Sequence, residues 1–145
     1  MKYEVGDVTD MKGKADGSFD VVLDKSTMDA LLCGDNSFLM TAKMLHEVQR
    51  VLKPGGYYFM VSYGEPESRI FHLEREFLSF DISYYKKTNY VKEPACDSSE
   101  GSSGSEEKVK VNHIYVCQKL PDANEVADKY YKFCIEQLKE DEEKL

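Results

Sequence analysis

No run of this 145-residue chain approaches the ~18 consecutive apolar residues that a membrane-spanning helix needs. Its first residues, Met1-Lys2-Tyr3-Glu4-Val5-Gly6-Asp7, lack the apolar core of a secretory leader. Basic charge is short as well. Lys plus Arg number 19 against 27 Asp plus Glu, a formal net charge of −8. A protein that grips a phosphate backbone needs a basic face, so this balance counts against nucleic-acid binding. Cys33, Cys96, Cys117 and Cys134 are scattered and form no C-x-x-C pair. That spacing suits neither a zinc site nor a disulfide framework, and no metal is expected. His46, His72 and His113 sit in periodic segments and read as structural residues. There is no internal repeat. No G-x-G-x-x-G follows a strand, which removes the usual nicotinamide-dinucleotide cradle. The expectation is a soluble, cytoplasmic protein with neither a membrane nor a nucleic-acid partner.

What is present suffices for one core. Hydrophobic residues make up 41% of a chain whose length suits a single domain. Tyr3-Glu4-Val5 reads as the end of a strand, followed by Gly6-Asp7-Val8. Ala15-Asp16-Gly17-Ser18 is turn chemistry. The run Phe19-Asp20-Val21-Val22-Leu23 is short, apolar and β-branched, as in a strand of a parallel sheet. A helical turn is expected over Ser26 to Leu32.

From Ser37 onward the pattern is helical, with Met44, Leu45, Val48, Val51 and Leu52 on one stripe. Lys53 and then Pro54-Gly55-Gly56 end that helix. Tyr57 to Ser62 is the next strand, which makes a strand–helix–strand unit that is parallel and right-handed. A further helix runs from Glu65 through Phe77. Strands are expected over Ile82 to Val91 and Val109 to Lys119, and a last helix over Asp122 to Leu138. Residues 93–107 are rich in Ser, Gly and Glu, and they read as a disordered loop inserted between the last two strands. Residues 140–145 read as a frayed tail, because acid there opposes the helix dipole.

Three segments, taken in order, carry a resemblance. They are Gly6-Asp7-Val8, then Phe19 through Leu31 with its Asp24-Lys25-Ser26-Thr27-Met28-Asp29-Ala30-Leu31 run, then Glu47 through Arg50-Val51-Leu52-Lys53-Pro54-Gly55-Gly56. Together these resemble the later part of a class I S-adenosylmethionine-dependent methyltransferase. The Asp24–Leu31 run is narrower. It resembles the group of elongation factor 1-alpha lysine methyltransferases and their relatives beside endothelin-converting enzyme 2. The resemblance implies an α/β, Rossmann-like fold, a mostly parallel sheet with an antiparallel C-terminal hairpin, lacking the first two strands. The family's glycine-rich cofactor loop has no counterpart, since the nearby glycines are only Gly6, Gly13 and Gly17. In family terms residues 1–145 form a single, partial methyltransferase domain. The strand at Phe19 then becomes a raw edge, open to pairing with a second copy of the chain.

In such sheets ligands bind at the carboxyl ends of the strands. The resemblance implies S-adenosyl-L-methionine as cofactor and S-adenosyl-L-homocysteine as product. It assigns Asp7 and Val8 to the adenine edge, Asp24 and Lys25 to cofactor contact near the methyl group, and Asp24 and Tyr63 to catalysis. Each assignment has a plain structural alternative. Asp7 fits a strand-terminating turn, Asp24 fits a cap on the helix that follows, and Tyr63 fits a tyrosine at the rim. The activity implied is transfer of a methyl group to a protein lysine, with a translation-factor-like substrate. The alternatives are a non-catalytic methyltransferase-like interaction module and a small-molecule methyltransferase.

Overall fold

The computed structural model describes residues 1–91 and 108–144. The elements are β1 (Phe19–Lys25), α1 (Thr27–Leu32), α2 (Ser37–Val51), β2 (Leu52–Ser62), α3 (Pro66–Leu73), β3 (Phe80–Val91), β4 (Lys108–Lys119) and α4 (Ala123–Glu143). The strand order is β1-β2-β4-β3, with β1 at one edge. β1 runs parallel to β2, and both the β2–β4 and β3–β4 pairings are antiparallel. The α/β class and the C-terminal hairpin are as expected. The mostly parallel sheet is corrected to a mixed one, because β4 returns between β2 and β3 against both.

Alternation along the strands sorts the sheet into two faces. Tyr58 and Met60 of β2 and Tyr115 and Cys117 of β4 are fully buried under the helices. Met44, Leu45 and Val48 of α2 and Ile135 of α4 complete that core, each removed from water for about 1.5–3 kcal/mol. The opposite face is open. Val21 pairs with Tyr57, Leu23 with Phe59 and Tyr85 with Ile114, and Leu23 is 72% exposed.

The Lys53-Pro54-Gly55-Gly56 segment does more than stop α2. It belongs to β2, and the register of β1 on β2 shifts between Phe19 and Val21 at this point. A Cβ on Gly56 would stand 2.9 Å from the Asp20 and Lys53 carbonyl oxygens, so the two strands meet here only over glycine.

Several boundaries differ from expectation. Tyr3-Glu4-Val5 forms no strand, and Tyr3 and Val5 are exposed with no neighbouring strand to pair with among the described residues. Helix α3 stops at Leu73 rather than Phe77. The chain there turns over residues 75–78, and the buried Gln49 amide takes up the Phe77 carbonyl and the Ser79 N–H that helix would otherwise pair. Helix α4 continues past Leu138 to Glu143, so the acidic segment read as a frayed tail stands within its last turns. The loop expected over residues 93–107 lies outside the described residues. No helix among the described residues is long and apolar enough to cross a membrane.

Candidate active site

Because β1 and β2 are parallel, their carboxyl ends lie side by side, with Asp24 opposite Met60 and Lys25 opposite Val61. Asp24-Lys25 and Ser62-Tyr63 therefore share one end of the sheet. Asp7 and Val8 belong to the N-terminal segment, which reaches the body through α2. Glu47 accepts the Met11 N–H at 2.6 Å, and Arg50 donates to the Lys14 carbonyl at 2.8 Å and to Asp16 at 2.6 Å. Val8 and Met11 pack against the edge of the core.

Asp7 is exposed and closes a local turn. Its Oδ1 accepts the Thr9 N–H at 2.8 Å and the Thr9 hydroxyl at 2.7 Å. The Thr9 hydroxyl and N–H hold its carboxyl below the usual aspartate range. Both bonds end on the same oxygen, and Asp7, Val8 and Met11 help to line an open concavity of about 500 Å³. Asp7 forms the turn that was its structural alternative, with Val8 beside it.

Asp24 is placed differently. It is buried, and both of its oxygens accept hydrogen bonds from the protein. Oδ1 accepts the Thr27 N–H at 2.7 Å, and Oδ2 accepts the Met28 N–H at 3.2 Å and the Tyr58 hydroxyl at 2.8 Å. This caps the first turn of α1, whose neighbour Ser26 stands in left-handed backbone with φ 63°. Burial, followed by the Asp24 charge, drives the Tyr58 phenol well above its usual pKa, so it stays a neutral donor. The capping role offered as its structural alternative is thus made. Lys25, next in line, is exposed at the rim.

Tyr63 is 65% exposed, yet its backbone is held from several sides. Its N–H donates to Asp29 Oδ2 at 3.0 Å. Asp29 Oδ1 accepts the Ser62 hydroxyl at 2.5 Å and Arg69 Nη2 at 2.9 Å. Ser62 Oγ accepts the Gly64 N–H at 2.9 Å, and the Tyr115 hydroxyl donates to the Gly64 carbonyl at 2.8 Å. Burial is the largest influence on Asp29 and raises its pKa. The donors from Ser62, Tyr63 and Arg69, with the Arg69 charge, outweigh it and leave the carboxyl below its usual value. Burial, then the neighbouring Tyr84, pushes the Tyr115 phenol up to about 12.

Sequence reasoning singled out Asp24 and Tyr63 and missed Asp29, Arg69, Tyr58 and Tyr115. Asp29 lies inside the Asp24–Leu31 run, which was its only signal. Arg69 lies 40 residues further on, and no local pattern pairs the two. Among the described residues, no group of three or more His, Cys, Asp and Glu could hold a metal ion.

Comparison with known proteins agrees with this architecture. The mitochondrial citrate synthase-lysine N-methyltransferase of Danio rerio is 32% identical over 78 residues, covering 53% of this chain and 31% of that protein. EEF1A lysine methyltransferase 4 of Bos taurus is 36% identical over 80 residues, covering 50% of this chain and 31% of that protein. The match thus spans less than a third of the length of these curated relatives. Among solved structures, a SAM-dependent methyltransferase from Methanosarcina mazei superposes with a TM-score of 0.50. That superposition covers 81% of this chain and 66% of the other at 15% identity, a likeness of fold. A family profile described as a methyltransferase domain matches residues 1–137, and the chain belongs to that methyltransferase family.

Proposed function

We propose that this protein is a cytoplasmic S-adenosylmethionine-dependent methyltransferase that acts on a protein lysine. The observation that carries the reading is the shared carboxyl end of β1 and β2, where Lys25 at the rim and the braced Tyr63 turn stand side by side. The lysine methyltransferase names of its relatives support the acceptor class.

When bound, the cofactor supplies a methyl group on a sulfonium, which is already a good leaving group. The protein's part is therefore binding, orientation and desolvation. Asp7 Oδ2 and the Val8 backbone would hold the adenine edge, and Lys25 would meet the cofactor through its main chain. Asp24 holds the β1–α1 turn in shape through Thr27 and Met28. The Tyr63 ring would flank the transfer axis, where an aromatic face favours a cation within ~6 Å. Asp24 and Asp29 at this end already accept hydrogen bonds from protein donors. A lysine acceptor, with a reference pKa of ~10.4, would lose its proton to water before it attacks. The net charge of −8 suits a basic protein substrate.

The test is calorimetric titration of the purified protein with S-adenosyl-L-homocysteine. Saturable binding that weakens in Asp7→Ala at unchanged Tm supports the reading. Folded protein that takes up no S-adenosyl-L-homocysteine overturns it. Labelled methyl transfer to lysine-bearing proteins, against a small-molecule pool, then separates protein from small-molecule acceptors.

A second reading, the non-catalytic interaction module, has one observation in its favour. Edge strand β1 and the open sheet face beside it carry exposed Val21, Leu23 and Tyr57. Its occupant would be a second copy of the chain, pairing along β1.

A further inference from the structure

We propose that Asp29 and Arg69 are positioning residues for methyl transfer, a partly buried ion pair that sets the Ser62–Gly64 backbone and so aims the exposed Tyr63 ring. The inference rests on the reading of Tyr63 as a flank of the transfer site.

The pair joins three elements at the end of the sheet. Asp29 comes from the first turn of α1, Arg69 from α3, and the turn they hold leads out of β2. Both side chains are only 14% exposed. Arg69 Nε reaches Asp29 Oδ1 at 3.1 Å and Ser62 Oγ at 3.0 Å, and Nη2 reaches Asp29 Oδ1 at 2.9 Å. The guanidinium therefore grips the carboxylate and the hydroxyl together, and the carboxylate's second oxygen is turned to the Tyr63 N–H.

Packing alone does not account for such a cluster. Even partial burial of two charges carries a desolvation penalty that an apolar pair of similar volume avoids. What the charges add is direction, since each oxygen fixes a named donor. The outcome of that direction is one backbone N–H and one ring. Tyr63 contributes little to the core, because its side chain is 65% exposed. A residue fixed at its backbone and free at its ring serves something outside the core.

Gly64 shows how closely the turn approaches the pair. A Cβ there would stand 2.2 Å from the Arg69 guanidinium carbon and 2.4 Å from Nε. Glycine is thus required for Arg69 to reach Ser62 and Asp29 at once. On the far side the Tyr115 hydroxyl holds the Gly64 carbonyl. Tyr115 in turn packs on Tyr84 at 5.4 Å between ring centroids, and the Tyr84 hydroxyl lies 2.8 Å from His113 Nδ1. The turn is braced by helices on one side and by β4 and β3 on the other.

The experiment combines amide hydrogen exchange at Tyr63 and Gly64 with steady-state methyl transfer, using the full-length protein. The variants are Asp29→Asn, Arg69→Met, Arg69→Lys and Gly64→Ala, each first checked for a cooperative melt. Asp29→Asn and Arg69→Met are expected to lower Tyr63 protection on the order of tenfold, as loss of a charge-assisted bond implies. They are expected to lower kcat about 10- to 100-fold, with KM for S-adenosylmethionine within about twofold. Arg69→Lys restores part of both. Gly64→Ala reproduces the loss without touching either charge, which keeps the test decisive if one charge variant fails to fold. Unchanged Tyr63 protection in folded Asp29→Asn overturns the clamp. Lost protection with kcat retained overturns the positioning role and leaves a structural brace. Wild-type protein that neither transfers methyl groups nor takes up S-adenosyl-L-homocysteine overturns the proposed function, and the positioning role falls with it.

Discussion

The Tyr58 hydroxyl donates a 2.8 Å hydrogen bond to Asp24 Oδ2 inside the core, so the carboxylate that ends β1 is anchored by the strand beside it. The bond crosses the parallel pair on its helix-covered face, and the same carboxylate caps α1. One side chain thus sets the angle at which the chain leaves β1 for the helix. Removing either partner strands the other. Tyr58→Phe is expected to destabilise the fold by about 2 kcal/mol, since a buried carboxylate loses a donor. Asp24→Ala also frees the Thr27 and Met28 N–H groups and is expected to cost about 3 kcal/mol. Urea denaturation of both variants and the double variant checks this. A double-variant loss equal to the sum of the singles would show that the two side chains act independently.

Gln49 performs a comparable task in the last turn of α2. Its amide nitrogen donates to the Phe77 carbonyl at 3.0 Å and to the Ala123 carbonyl at 3.2 Å, and its oxygen accepts the Ser79 N–H at 2.7 Å. It ties the turn before β3 to the start of α4. Gln49→Leu keeps the volume and leaves those backbone groups buried without partners. The expected loss is about 3 kcal/mol, with the m-value unchanged. A loss below about 1 kcal/mol would mean that water replaces the amide.

Local pattern made most of this fold legible, and long-range polar pairing made up most of what was hidden. The apolar stripe of Met44, Leu45 and Val48 announces α2 because helical period alone decides which face is buried. The Pro54-Gly55-Gly56 stop was legible as well, although its second task, letting β1 and β2 touch over Gly56, depends on a neighbour in space. The end of α3 was not legible, since Gln49 takes the backbone partners of Phe77 and Ser79 from a different helix. Tyr3-Glu4-Val5 has strand-like residues but no strand beside it among the described residues, and a strand needs a partner more than it needs propensity. At the candidate site the strand ends were predictable from topology. The Asp29–Arg69 pair was not, because nothing local links α1 to α3.

The β1 edge yields a prediction about assembly. Val21 is 51% exposed and Leu23 72% exposed on a strand that pairs on one side only among the described residues. Such an edge invites another strand. Sedimentation at rising protein concentration is expected to show a monomer–dimer equilibrium that Val21→Lys with Leu23→Lys abolishes, with secondary structure by circular dichroism unchanged. A wild-type protein that stays monomeric throughout would remove the second copy as occupant of this edge.

His72 makes stability depend on pH in a defined window. It is 1% exposed, packed between the Phe71 ring at 3.8 Å and the Phe38 ring at 5.1 Å. Arg75 Nη2 lies 3.3 Å from His72 Nδ1, and an arginine only donates, so that nitrogen accepts and the ring is neutral. Burial, then the charges of Arg75 and Arg69, push its pKa from 6.5 down to about 4. The unfolded chain takes up a proton near 6.5, while the folded chain resists until about 4. Stability from this group is therefore complete above 6.5 and falls as pH drops toward about 4, by about 3 kcal/mol in all. Asp29 and Glu47, both held below the usual carboxylate range, add their own losses at lower pH. Urea titrations across this interval should show the decline in wild type and a flatter profile in His72→Leu. An equal decline in both would assign the effect to the carboxylates and not to His72.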